Sequence, residues 1–178
     1  MSDAQWVDVE ADVSAAVTHF KNALALSKVG KFKDEGLEGY RDQMAFMHAM
    51  QCAHTSAEAA LTRVLRILDE DLPTGEDWHL TLINRLSKPI TGDHARPEML
   101  NRELADDLQE TRSFRHRVMH SYGAFDITRA EPTMAAAQRL VTSLPAAIAR
   151  FRNIVDPPPN NNNDGEDGAG GGMSGGPK

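Results

Sequence analysis

The chain has 178 residues, with 19 Lys and Arg against 26 Asp and Glu, a formal net charge of −7 and 40% hydrophobic residues. That allows one compact domain with a real core and leaves little room for a second. No apolar run is long enough to cross a bilayer, and the acidic start is followed by no apolar signal core. The lone Cys52 makes no internal disulfide, so the expected setting is a reducing cytoplasm. The acidic total excludes coating of nucleic acid by bulk charge while leaving room for one local basic site.

Residues 1–156 show helical spacing almost throughout. A first helix over about residues 3–28 carries Trp6, Val9, Val13, Val17, Phe20 and Leu24 on one stripe and stops at Gly30. A second runs from about Gly36 to Glu70, with Tyr40, Met44, Met47, Ala57, Leu61, Val64 and Leu68 on its inner side, and ends before Pro73 and Gly75. A shorter helix over about 76–87 presents Trp78, Leu82 and Leu86, and Pro89, Gly92 and Pro97 mark a loop after it. Pro97 is placed as the first residue of a fourth helix, which uses Leu100, Leu104 and Leu108 and ends near Gly123. The last helix, about 128–155, presents Met134, Leu140, Val141, Leu144, Ile148 and Phe151, and Pro145 inside it should kink it. Five helices with short connections predict an all-α, up-and-down helical bundle.

From residue 157 the composition changes. Three prolines and four asparagines lead into a Gly-rich end that cannot bury enough apolar surface to offset its ordering entropy. The expected division is therefore a helical domain over 1–156 and a disordered tail over 157–178.

One segment departs from the acidic average. Between Thr111 and Phe125 stand Arg112, Arg115, Arg117, His116 and His120, with no acidic residue. Continuing the stripe of Leu100, Leu104 and Leu108 at helical steps brings it through Thr111, Arg115, Val118 and Tyr122. A guanidinium thus falls near the middle of a buried face, where it needs a partner: a carboxylate such as Glu58, a polar cleft between subunits, or a phosphate. His120 follows five residues later, about 140° around and about 7.5 Å along an ideal helix. The two therefore converge only where the helix unwinds near Gly123 or where a second copy completes the site.

Other groupings point elsewhere. His116 and His120 share a helix face at a zinc-compatible spacing, but Gln109 and Ser113 occupy the neighbouring turns and no ligand shell forms. His48, Cys52 and His54 lie in the Met-rich middle of the second helix, where a core or subunit interface is expected, as it is for Met44, Met47 and Met50. The phosphate-loop, dinucleotide, zinc-protease and nucleophile-elbow motifs are absent from the sequence.

Arg115, four intervening residues, His120, one residue and Tyr122 resemble the Arg-x4-His-x-Tyr signature of the HepT-like branch of the HEPN superfamily. The resemblance covers roughly residues 40–155. It includes a long second helix, the motif at the end of the penultimate long helix, and Leu144-Pro145 in the last one. The family usually has Asn or another small polar residue just after the arginine; here His116 stands there, still able to donate and accept hydrogen bonds.

The resemblance implies a small all-helical, homodimeric endoribonuclease toxin that needs no metal or other cofactor. Arg115 and His120 would be its catalytic residues, with His116, Arg112 and Arg117 supporting them or holding RNA phosphates. It further implies a cognate minimal nucleotidyltransferase as antitoxin, which attaches AMP to Tyr122 and silences the nuclease. Two other readings stay open. One is a non-catalytic HEPN module that binds the nucleotidyltransferase, with Arg115 and His120 only shaping an interface. The other is a metal-binding four-helix protein.

Overall fold

The computed structural model describes residues 3–92, 95–119 and 126–158. Within them the chain forms α1 (Asp3–Val29), α2 (Leu37–Ile67), α3 (Trp78–Leu86), α4 (Arg102–Met119) and α5 (Glu131–Val155), with a short 3-10 turn at Ile127–Ala130 leading into the last. The only strand-like pairing among the described residues is an isolated bridge between Ile90 and Arg96. The architecture is the all-α bundle that the periodicity predicts.

Trp6, Val9, Val13, Ala16, Phe20 and Ala23 are buried, in alternating steps of three and four, so α1 turns one continuous apolar face to the body. It packs along α2 and also against α5. Alanines among the large side chains, Ala16 and Ala23 on α1 and Ala53, Ala57 and Ala60 on α2, are fully buried and permit close approach of the backbones. Leu140, Leu144, Ile148 and Phe151 of α5 close the core. The indole of Trp6 donates to Asp156 Oδ2 at 2.9 Å, tying the start of α1 to the end of α5. Between α4 and α5 the buried carboxylate of Asp107 receives Arg139, with Nε at 2.9 Å from Oδ2 and Nη2 at 2.5 Å from Oδ1. Pro145 has no N–H for the carbonyl one turn before it, yet α5 continues through it to Val155.

Three expectations are corrected. Tyr40 and Met44 are exposed rather than inward, Tyr40 to 60%. The inner side of the first turns of α2 is taken instead by Gly39, Asp42 and Gln43, which engage the loop before the helix. Asp42 Oδ2 accepts the Lys31 N–H at 2.9 Å, Gln43 Nε2 donates to the Phe32 carbonyl at 3.1 Å, and a Cβ at Gly39 would collide with the Asp34 carbonyl. The buried stripe of α2 begins only at Phe46.

Pro97 does not open α4, which starts at Arg102 with the Asn101 side chain accepting the Leu104 N–H at 2.9 Å. The reason is Arg96. Its guanidinium is buried and donates to both oxygens of Glu70, to the carbonyls of Lys88 at 2.9 Å and Arg85 at 3.3 Å, and to that of Pro97 at 3.3 Å. The backbone of 96–100 is thereby spent on loop contacts, including Met99 and Leu100 N–H bonds to the Leu86 carbonyl at 2.9 and 3.1 Å. The third correction is smaller: the turn at Ile127–Ala130 precedes α5 as a separate piece, with Asp126 Oδ1 accepting the Thr128 N–H at 3.0 Å. The expected end of α4 near Gly123 and the tail from Pro159 onward lie outside the described residues.

Removing one member of a buried ion pair strands the other. Arg96→Met should therefore destabilise the fold by about 3–5 kcal/mol, read as a lowered urea midpoint at unchanged slope. A change below about 1 kcal/mol would show that the loop holds without its arginine.

Candidate functional site

The site is built from a polar strip beside the buried face of α2. Along α2, Thr55, Glu58, Thr62 and Arg66 recur at steps of three and four, beside the buried run of Ala57, Leu61, Val64 and Leu65. The strip faces α3 and α4 and forms one wall of a cleft of about 320 Å³, with Trp78 and His79 from α3 and Arg115 from α4 on the others.

Glu58 stands at the base of the cleft, only 4% exposed. Three cationic or imidazole groups converge on its carboxylate. His54, one turn earlier on α2, brings Nε2 to 3.0 Å from Oε1. His79 of α3 makes a short hydrogen bond from Nδ1 to Oε1. Arg115 of α4 donates from Nη1 to Oε2 at 3.3 Å. Burial on its own would push the Glu58 carboxyl up, but the hydrogen bonds and charges of His54 and His79 outweigh it and hold the group below the usual glutamate range. His54, fully buried, is held on its other side by Thr111 of α4, whose Oγ1 lies 3.0 Å from Nδ1.

Arg115 is therefore half-buried, its side chain 30% exposed, and has the carboxylate that its position on the apolar stripe demands. Of the alternatives left open for it, Glu58 is the partner. One N–H is engaged there, and the remaining guanidinium donors have no partner among the described residues. The other basic residues of the segment are placed differently. Arg112 lies 3.8 Å from Asp77, Arg117 donates to Glu110 at 3.0 Å and to Thr133 Oγ1 at 3.3 Å, and His116 is exposed. Of these four residues only Arg115 lines the cleft. His120 and Tyr122 lie outside the described residues.

The cleft also contains residues that sequence reasoning missed. His79 and Trp78 stack with ring centroids 3.7 Å apart. Arg66 is exposed at the cleft, and Arg63 beside it is paired to Asp12 at 2.7 Å and Asp8 at 3.2 Å. The signal for α2 was available as the polar strip itself; for His79, isolated on a short helix, there was none. His48, Cys52 and His54 do not form one group. His54 is buried under Glu58, His48 is exposed, and Cys52 is half-buried with Sγ 3.5 Å from His48 Nε2. No set of three or more His, Cys, Asp or Glu among the described residues is placed to hold a metal ion.

A small helical bundle that carries an arginine from its penultimate long helix into a polar cleft, with an Arg-x4-His-x-Tyr run continuing from it, has the form of a HEPN domain. The chain matches the family described as HepT-like protein over residues 45–155 and belongs to that family, within the HepT-like branch of the HEPN superfamily. The matched stretch takes in Glu58, His79, Arg115, His120 and Tyr122. No curated protein and no solved structure matches the chain. No helix among the described residues is long and apolar enough to cross a membrane.

Because the Glu58 carboxyl is lowered in the folded state, its stabilising contribution is full above the ordinary glutamate pKa of about 4.3 and is lost as pH falls through the lower folded value. Wild type should therefore exceed Glu58→Gln in stability by most above pH ~5. The two unfolding curves should converge as the solution is acidified below that range. A gap independent of pH would mean that the charge of Glu58 plays no part in holding the three helices.

Proposed function

We propose that the protein is a metal-independent endoribonuclease toxin, paired with a minimal nucleotidyltransferase as its antitoxin and acting as a homodimer. The observation that carries this reading is the half-buried guanidinium of Arg115, held by one N–H on Glu58 and lining a cleft with its other donors unmatched among the described residues. A fixed cation with two free donors suits the charge that grows on phosphorus when a ribose 2′-hydroxyl attacks the adjacent phosphate. His120, the motif imidazole, takes the proton from that hydroxyl; an imidazole changes charge near neutral pH and is suited to the task. The 2′-oxygen–phosphorus bond forms, the 5′-oxygen–phosphorus bond breaks, and a 2′,3′-cyclic phosphate remains. Arg112, Arg117 and His116, on the same helix, hold backbone phosphates without reading sequence, as does Arg66 at the cleft.

Silencing follows from charge. The phenolic oxygen of Tyr122 attacks the α-phosphorus of ATP on the nucleotidyltransferase, pyrophosphate leaves, and the attached AMP sets a phosphate two residues from His120. That anion occupies the cations that RNA requires.

A second reading is favoured by the ion pair itself. Arg115 already has a carboxylate, as it would in a non-catalytic HEPN module that only binds the nucleotidyltransferase. Expression in cells separates the two. The toxin arrests growth when produced alone, and Arg115→Ala and His120→Ala each relieve the arrest and lower RNA cleavage by about 10²–10⁴-fold. Coexpression of the cognate transferase relieves it in the wild type but not in Tyr122→Phe, with a single AMP adduct found by mass spectrometry. A wild-type chain that leaves growth and RNA intact is the module, not the nuclease.

A further inference from the structure

Cleavage of a phosphodiester by its own 2′-hydroxyl requires two proton movements. One proton leaves the 2′-oxygen as it bonds to phosphorus, and another must reach the 5′-oxygen as it departs. Of the two imidazoles in the Arg-x4-His segment, His116 is exposed and does not line the cleft, which leaves the motif histidine, His120, as the one the ribonuclease reading assigns per chain. The cleft contains another, outside that motif.

His79 is the second residue of α3 and lines the same cleft as Arg115. The two share one anchor: His79 Nδ1 is hydrogen-bonded to Glu58 Oε1, and Arg115 Nη1 to Oε2. An ionised carboxylate only accepts, so Nδ1 carries the hydrogen of that bond and Nε2 is the ring atom left to exchange protons with a ligand. The Trp78 ring, stacked with its centroid 3.7 Å away, packs on one face of the imidazole. The His79 side chain remains 20% exposed, enough to meet a ligand and too little to wander. His54 makes the contrast. It approaches the same oxygen but is fully buried, so it can only hold Glu58 in place.

A carboxylate that orients an imidazole and supplies the negative charge its protonated form needs is a recurrent device of proton transfer. Here it stands beside a guanidinium suited to phosphate. We propose that His79, oriented by Glu58, is the second proton-transfer group of this cleft. It gives its Nε2 proton to the departing 5′-oxygen while His120 accepts the proton of the attacking 2′-hydroxyl. After the step His79 is neutral and His120 is protonated, and the charges balance without metal or oxidant. The inference rests on the ribonuclease reading and adds a catalytic residue to it.

The test uses the purified full chain and two oligonucleotides, each with one cleavable linkage. The first is ordinary RNA. In the second, sulfur replaces the bridging 5′-oxygen, and the thiolate leaves without a proton. His79→Gln and His79→Ala, each verified as folded by its thermal transition, should cut the first about 10²–10⁴-fold more slowly than wild type. Both should recover to within about tenfold of wild type on the second. His120→Ala should stay slow on both, since its proton comes from the nucleophile. If the His79 variants cut ordinary RNA at the wild-type rate, or lose both substrates equally, His79 is structural and the proposal is overturned while the nuclease reading stands. If the wild-type chain cuts neither oligonucleotide, the nuclease reading fails and the role of His79 with it.

Discussion

A single carboxylate, that of Glu58, organises the part of the molecule where chemistry is possible. A buried carboxylate left alone would cost several kcal/mol, and pairing repays that only where the geometry is good. Here the partners come from three helices: His54 from its own, His79 from α3 and Arg115 from α4. The same contacts locate α3, nine residues long and too short to be a stable helix by itself. Its apolar anchors Leu82, Ile83 and Leu86 fix its depth in the core, and the bond to Glu58 adds a directional contact near its start. The polar centre and the α3 packing are therefore one cooperative unit.

The same arrangement reconciles an ion pair with a binding site. A guanidinium has five donors, and a carboxylate that engages one of them leaves the remainder for an anion. Glu58 keeps Arg115 from either folding into the core or extending into water. A half-buried cation interacts more strongly with an incoming phosphate than an exposed one, because less solvent screens it. Its conformational entropy has already been surrendered in folding, so a ligand meets a cation that needs little further ordering.

How much of this could be read from sequence depends on whether a residue's role is local. The stripe on α1 and the passage of the Leu100–Leu104–Leu108 stripe into Arg115 are local, and they set the all-α frame and the demand for an anionic partner. Glu58 could be suggested because it lay on another predicted helix. The inward placement of Tyr40 and Met44 failed because the apolar period of α2 extends beyond the part of the helix that its neighbours cover, and Gly39, Asp42 and Gln43 take the inner side there. Pro97 carried a real helix-start signal, but Arg96 beside it is buried against Glu70 and three carbonyls, a tertiary contact with no trace in spacing. His79 was invisible for the same reason. A lone histidine on a short helix means nothing until its carboxylate, 21 residues away, is placed against it.

The basic run between Thr111 and Phe125 illustrates how charge and site differ. Read as a string it is a patch of like charge. In the fold its arginines separate to different carboxylates: Arg112 toward Asp77, Arg115 to Glu58, Arg117 to Glu110. Two of those acids, Asp77 and Glu58, belong to distant parts of the chain, so local density of positive charge is largely cancelled in three dimensions. What sets Arg115 apart is not its charge, which the others share, but the depth of its partner. Asp77 is 82% and Glu110 30% exposed at the side chain, against 5% for Glu58. The exposed pair of Arg112 and Asp77 exchanges with water and salt at little cost, while Arg117 and half-buried Glu110 also share the buried Thr133 hydroxyl. The pair with Glu58 is backed by His54 and His79 and cannot be traded for solvent in the same way, which makes Arg115 the arginine of the segment with the most deeply buried carboxylate.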